Sequence, residues 1–231
     1  MIITNQRFEE LKTNYKNYLP RLKTLHMDFG GPSVYFHQQA LKEASQNFLS
    51  ERHVEMVYAT LTSWGMHRMG ETKTKMVDFE QFRSSIDALH SDLIQLKSVR
   101  LEQFTKEPSK ILAKLQSLCF KLKVSISNSK IVGNSKALAH ILPNLVPPVD
   151  RQYTIRFFST SLSNFRNTDE EQLFYSHILK QCYEFVQIIK IDAKVSIDDC
   201  FNTSFPKIFD NLIMLSLKEL LRSPVINVLS L

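Results

Sequence analysis

Glycine is scarce in this chain, with five copies, at positions 30, 31, 65, 70 and 133. None of them builds a phosphate cradle or a nucleophile elbow. No G-x-x-x-x-G-K-[ST], G-x-G-x-x-G or G-x-S-x-G run occurs, which removes P-loop, dinucleotide-binding and hydrolase-elbow chemistry. Cysteine is rarer still. Cys119, Cys182 and Cys200 are odd in number and form no C-x-x-C pair. They fit buried thiols in a reducing cytoplasm better than a disulfide framework or a zinc knuckle. No H-E-x-x-H appears, and the seven histidines show no metal-ligand spacing. His53-Val54-Glu55 matches one half of a deaminase signature, but the P-C-x-x-C half is missing. No metal and no cofactor is therefore expected. Long apolar runs are absent too, so nothing approaches the roughly 20 residues of a membrane span. The opening "MIITNQRFEELK" turns polar at once, unlike a secretory signal.

What is present reads as helix from end to end. Phe8, Leu11, Tyr15, Tyr18, Leu19 and Leu22 recur at helical spacing behind Thr4 or Asn5. Gly30, Gly31 and Pro32 break the chain, and Ser33 is positioned to cap a helix running to about Leu49. Val54, Val57, Tyr58 and Leu61 mark another, which ends near Trp64. A polar loop with Arg68, Lys73 and Lys75 follows. Asp78 caps a helix carrying Phe79, Phe82, Ile86, Leu89, Leu93 and Leu96, and Pro108 opens one that reaches about Leu122. Thr168 or Asn167 caps a long helix with acids in its first turn. Further helices are expected from Ser196 and from Pro206. The only extended piece expected lies around Val124, Ser125 and Ile126. The fold class is all-α: roughly ten helices in one domain over 1–231, as one globular body or as two helical lobes about a cleft.

The net charge of +6 is unevenly spread. Residues 105–136 hold seven lysines against Glu107 alone, an excess equal to that of the whole chain. On the helix after Pro108, the apolar Ile111, Leu112, Leu115, Leu118, Cys119 and Leu122 face one way. Lys110, Lys114 and Lys121 face the other. Such a stripe is most often a solvated face. The lack of acidic residues on it favours a surface that meets phosphates.

The stretch "SKIVGNSKALAHILPNLVPPVDRQYTIRFF", residues 129–158, is the strongest lead. It reads as a turn at Gly133, with Asn134 and Ser135 capping a short helix that begins at Lys136. Ala137, Leu138, Ile141 and Leu142 form that helix's apolar face, and Pro143 ends it. Pro147-Pro148 hold the chain extended and set Asp150 at the start of the next helix, with Val149 turned inward. A glycine turn feeding a helix N-terminus suits a phosphate. A carboxylate in so stiff a setting serves as cap, ion-pair partner or general base.

A glycine turn, a lysine, a short helix and then "P-V-D" opening another helix resemble the helix-hairpin-helix DNA glycosylase superfamily. The likeness covers residues 129–158, with Lys130 just before the hairpin and Arg151 just after the aspartate. It implies a lysine at Lys136 that attacks the sugar C1′ in bifunctional members. It also implies a catalytic aspartate at Asp150 and a hairpin glycine at Gly133 whose backbone meets a DNA phosphate. The chain carries one glycine where that hairpin has two, Arg151 where threonine or valine is usual, and no four-cysteine iron–sulfur pattern. "SWGMHRMG" and "NLVPPVDRQYT" also resemble segments of uncharacterised prokaryotic proteins.

Three functional readings stand side by side. The first is a DNA-binding, glycosylase-like protein of base-excision repair, using Lys136 and Asp150. Lys110, Lys114, Lys121, Lys130, Gly133, Asn134, Ser135 and Arg151 would hold the nucleic acid. The second is a nucleic-acid-binding module without catalysis. The third is a helical interaction unit whose apolar C-terminus, "SPVINVLSL", pairs with a second copy. Taken singly, Asp150 is a cap, Lys136 a first-turn surface lysine and Trp64 a core anchor. No membrane partner is expected, and the cytoplasm is the expected location.

Overall fold

Each helix forms where a buried stripe and an end signal agree. In the computed structural model, which describes residues 2–67, 74–159, 165–198 and 200–222, α1 (Gln6–Leu22) buries Phe8, Leu11, Tyr15, Leu19 and Leu22, one face of a 3.6-residue period. α2 (Pro32–Gln46) starts from Gly31, whose φ of +53° few other residues adopt. Pro32 takes the first helical position. α3 (Glu51–Ser63) is capped by Ser50, which accepts from His53 N, and α4 (Phe79–Asp87) by Asp78, which accepts from Gln81 N. α5 (His90–Leu96), α6 (Ser109–Lys121) and α7 (Ile131–Ile141) follow. A π turn (Arg151–Ile155) leads into the short α8 (Arg156–Phe158). α9 (Thr168–Ile189) is capped by Asn167, and α10 (Phe205–Arg222) closes the described chain.

The fold is all-α, a single helical body whose core runs without interruption from Phe8 to Leu217. Extended pairing among the described residues amounts to two isolated bridges, Ile3 with Ser159 and Met76 with Ser125. α7 occupies the middle, touching α2, α3, α6 and α9. Every residue of it except Val132 is buried. α10 packs against α1 and α9 and against the π turn that follows Asp150. No helix of the described residues is long and apolar enough to cross a membrane.

Four local expectations are corrected. The helix expected over 79–96 breaks at Ala88–Leu89, which turns Leu89, Leu93 and Leu96 inward on a new axis. Ser33 lies one residue inside α2 and donates its hydroxyl to Ser63 O instead of capping. No helix begins at Ser196. There the Asp198 carboxylate accepts from the backbone N–H groups of Cys200, Phe201 and Asn202, an alternative to helical bonding. The fourth correction concerns α7, which begins at Ile131 and not at Lys136. Its first turn is capped from another part of the chain. Glu171 Oε1, buried on α9, accepts from Ile131 N and Lys130 N at 2.8 Å and from Ser129 Oγ at 2.7 Å. The carboxylate sits where a helix dipole favours negative charge.

Gly133 is consequently a helix-interior glycine and not a turn. A Cβ there would stand 3.0 Å from Val124 Cγ1 and 3.3 Å from Met66 Cε. Alanine would gain up to about 1 kcal/mol of helix propensity but overpack against Val124, at about 1–3 kcal/mol. Gly133→Ala is expected to lower stability by about 1 kcal/mol in chemical denaturation. An increase would show that Val124 yields freely.

Candidate functional site

The residues around Asp150 are positioned by backbone bonds that the proline segment leaves available. Ser135 Oγ, inside α7, accepts from Val149 N at 2.9 Å, which draws the segment 147–149 against the helix. Val149 is fully buried. Asp150 then caps the π turn: its Oδ1 accepts from Gln152 N at 2.7 Å, and its own N–H donates to Thr154 Oγ1 at 3.1 Å. The other oxygen, Oδ2, accepts from Lys136 Nζ at 2.7 Å. Fourteen residues apart in sequence, the ammonium and the carboxylate are in direct contact. The Lys136 side chain is 9% exposed and that of Asp150 32%, so the pair sits at the rim of the interior. Burial acts to raise the Asp150 carboxyl, but Lys136 and the N–H groups of Gln152 and Tyr153 outweigh it and hold it below the usual carboxylate range.

A second pair lies beside the first. Lys207 Nζ, in the first turn of α10, donates to Asp210 Oδ2 at 2.7 Å, and both residues are buried. Burial raises the Asp210 carboxyl, only partly countered by Lys207, and the nearby Asp150 charge adds to the rise. Between the pairs stands the half-buried Trp64. The Lys136 ammonium is 5.8 Å from its ring centroid and the Lys207 ammonium 5.6 Å. Lys207 is also 4.4 Å from the Phe201 ring. These are cation–π distances at which the indole partly replaces the water lost on burial. Trp64 Nε1 donates to Ser33 O at 3.2 Å, which fixes the ring.

Three histidines line the inner side. His140 Nδ1 lies 2.7 Å from Lys136 O, and His140 Nε2 lies 2.8 Å from His37 Nδ1. His53 Nε2 bonds to His140 O. Burial pushes His140 down to about 4, with Lys207, His53 and Lys136 adding to the fall. Burial likewise holds His37 well below its ordinary value, with His140 and Lys207 adding to it. Both rings are neutral at physiological pH.

The other sequence-predicted residues divide. Gly133, Asn134 and Ser135 are buried inside α7. Asn134 spends its amide on Cys119 O and Leu122 O, at 2.6 and 2.7 Å. Lys130 folds back on its own loop, donating to Ser125 O and Ser127 O. Arg151 is on the exposed side of Asp150. Lys110 and Lys121 are exposed on α6, whereas Lys114 pairs with Asp92 at 3.0 Å and with Gln95. Glu80 and Asp92 also line the open depression that holds Lys121 and Lys123. The stripe that lacks acids along its own helix thus receives them from α4 and α5. Arg68, Lys73 and the "SPVINVLSL" tail lie outside the described residues. Lys207, Asp210, His37 and His140 carry no mark in the sequence, and Trp64 reads there only as a core anchor. The available signal was a lysine and an aspartate three apart on the mostly apolar "FPKIFDNLIML".

Comparison with protein-family models, curated proteins and solved structures gave no match.

Proposed function

We propose that this protein binds DNA and acts on it through Lys136 and Asp150, in the manner the helix-hairpin-helix glycosylase resemblance implies. The observation that supports the reading is the 2.7 Å contact between the two side chains at a partly open rim beside Trp64. A lysine nucleophile has to lose a proton first, and Asp150 Oδ2 is the acceptor already in place. In the resting protein the two side chains form an ion pair. An entering DNA strand would dry the rim, which favours the neutral amine and the protonated carboxyl over two buried charges. The freed lone pair then attacks the sugar C1′, and the base leaves with the C1′–N bonding electrons and takes up the proton held by Asp150. The attached nitrogen returns a proton to Asp150, the C1′–O4′ bond opens with that proton passing to O4′, and a Schiff base results. Borohydride reduction of a mixture with DNA carrying abasic or damaged sites is the test. The intact chain is expected to yield a covalent adduct, which Lys136→Ala abolishes and Asp150→Asn reduces by at least tenfold. An adduct that persists in a folded Lys136→Ala protein overturns the assignment.

A specific observation favours a second reading, binding without catalysis. The pair is closed, and the anion position at the α7 N-terminus is already filled by Glu171. DNA would then be held by exposed cations such as Lys110 and Lys121, with affinity falling steeply with salt and no adduct formed. Lys110→Glu with Lys121→Glu would weaken binding at least tenfold under this reading.

A further inference from the structure

Next to the Lys207–Asp210 pair lies a small cavity of about 10 Å³, the lower bound for one water molecule. His37, Trp64, His140, Thr203, Ser204 and Lys207 are its polar lining. The protonation of its two imidazoles follows from their partners. The Lys136 carbonyl can only accept, so His140 Nδ1 carries the proton and His140 Nε2 keeps a lone pair. That lone pair faces His37 Nδ1 at 2.8 Å, so His37 Nδ1 is the donor. His37 Nε2 is left as an acceptor. It is buried with no partner among the described residues, in a side chain that lines the cavity and is only 3% exposed. An interior acceptor without a donor is a disfavoured state that proteins rarely leave standing.

We propose that this cavity is a binding site for a single water molecule that donates a hydrogen bond to His37 Nε2. Its wall rejects the alternatives. The imidazole lone pair repels an anion, the Lys207 ammonium repels a cation, and the volume excludes a larger neutral molecule. The oxygen of the water remains able to accept from Lys207, whose ammonium has three N–H groups and gives one to Asp210. An unbroken hydrogen-bonded chain then runs from the Lys136 carbonyl through His140 and His37 to the water beside Lys207. It joins the backbone of one ion pair to the side chain of the other. The inference stands apart from the nucleic-acid reading, since it needs neither DNA nor catalysis.

The test uses the full chain labelled with ¹⁵N-histidine. Long-range ¹H–¹⁵N spectra at neutral pH are expected to show His37 and His140 with the proton on Nδ1. A cross-peak from the His37 ring to a long-lived water is expected as well. A His37 proton on Nε2, or a His37 ring that shows no water cross-peak while other buried waters are detected, overturns the proposal. Both readouts come from the unsubstituted protein, so the folding of a variant does not enter.

Discussion

Lys207→Met is expected to destabilise the protein by about 3–5 kcal/mol at neutral pH. The substitution keeps most of the side chain's volume and removes only the ammonium that Asp210 faces at 2.7 Å. What remains is a carboxylate in the interior without its hydrogen-bonded cation, opposed by the negative Asp150 and helped only from a distance by Lys136. Such a group escapes by taking up a proton, so the loss should shrink on moving from pH 7 to pH 5. Removing both charges, as in Lys207→Met with Asp210→Leu, should restore much of the stability, because neither ion then has to leave water. Urea unfolding of the three proteins at both pH values decides the matter. A single variant within about 1 kcal/mol of the parent at pH 7 would place the pair among weak surface ion pairs and contradict its burial.

Acidification is the second large effect. In the unfolded chain His140 binds a proton below about pH 6.5. In the folded protein it does so only near pH 4, because burial and the neighbouring cations oppose the charge. Between those values the unfolded state holds more protons, so stability falls as pH falls, by on the order of 3 kcal/mol for His140 alone. His37, held low for the same reasons, adds in the same direction. Asp150, held below its usual range, contributes a further loss only below about pH 4. Asp210 works the other way, since its raised carboxyl protonates more readily in the fold than in the free chain. Unfolding free energies measured from pH 7 to pH 4 should therefore decline steeply through the histidine range. His140→Asn, which keeps a donor for the Lys136 carbonyl without a titrating ring, should flatten the slope. A profile level between pH 6.5 and 4.5 would show that the cluster admits water and protons freely.

The helical stripes were legible because their period depends on nearest neighbours along the chain. Asp78 and the Phe8-to-Leu22 face could be read directly, and Asn167 as one of two cap candidates beside Thr168. The proximity of Lys136 and Asp150 was foreshadowed by Pro147-Pro148, since a stiff segment of known length limits where its ends can go. The start of α7 was not legible. Its cap, Glu171, comes from a helix forty residues on, and nothing local marks Ile131 as a first-turn residue. Separation along the chain likewise hid Asp92 from Lys114 and Lys207 from Trp64.

Composition and periodicity were by themselves enough to make this chain all-helical and to place the main breaks. Those properties follow from short-range torsional preference and from which face of a helix is apolar. Only the packing of α7 among α2, α3, α6 and α9, with α10 set against the turn after Asp150, decided that Gly133 fills a tight contact, that two lysine–aspartate pairs flank one tryptophan, and that three histidines stay neutral behind them. Burial, counter-charge and hydrogen-bond partners are properties of neighbours in space, and in this protein those neighbours come from opposite ends of the chain.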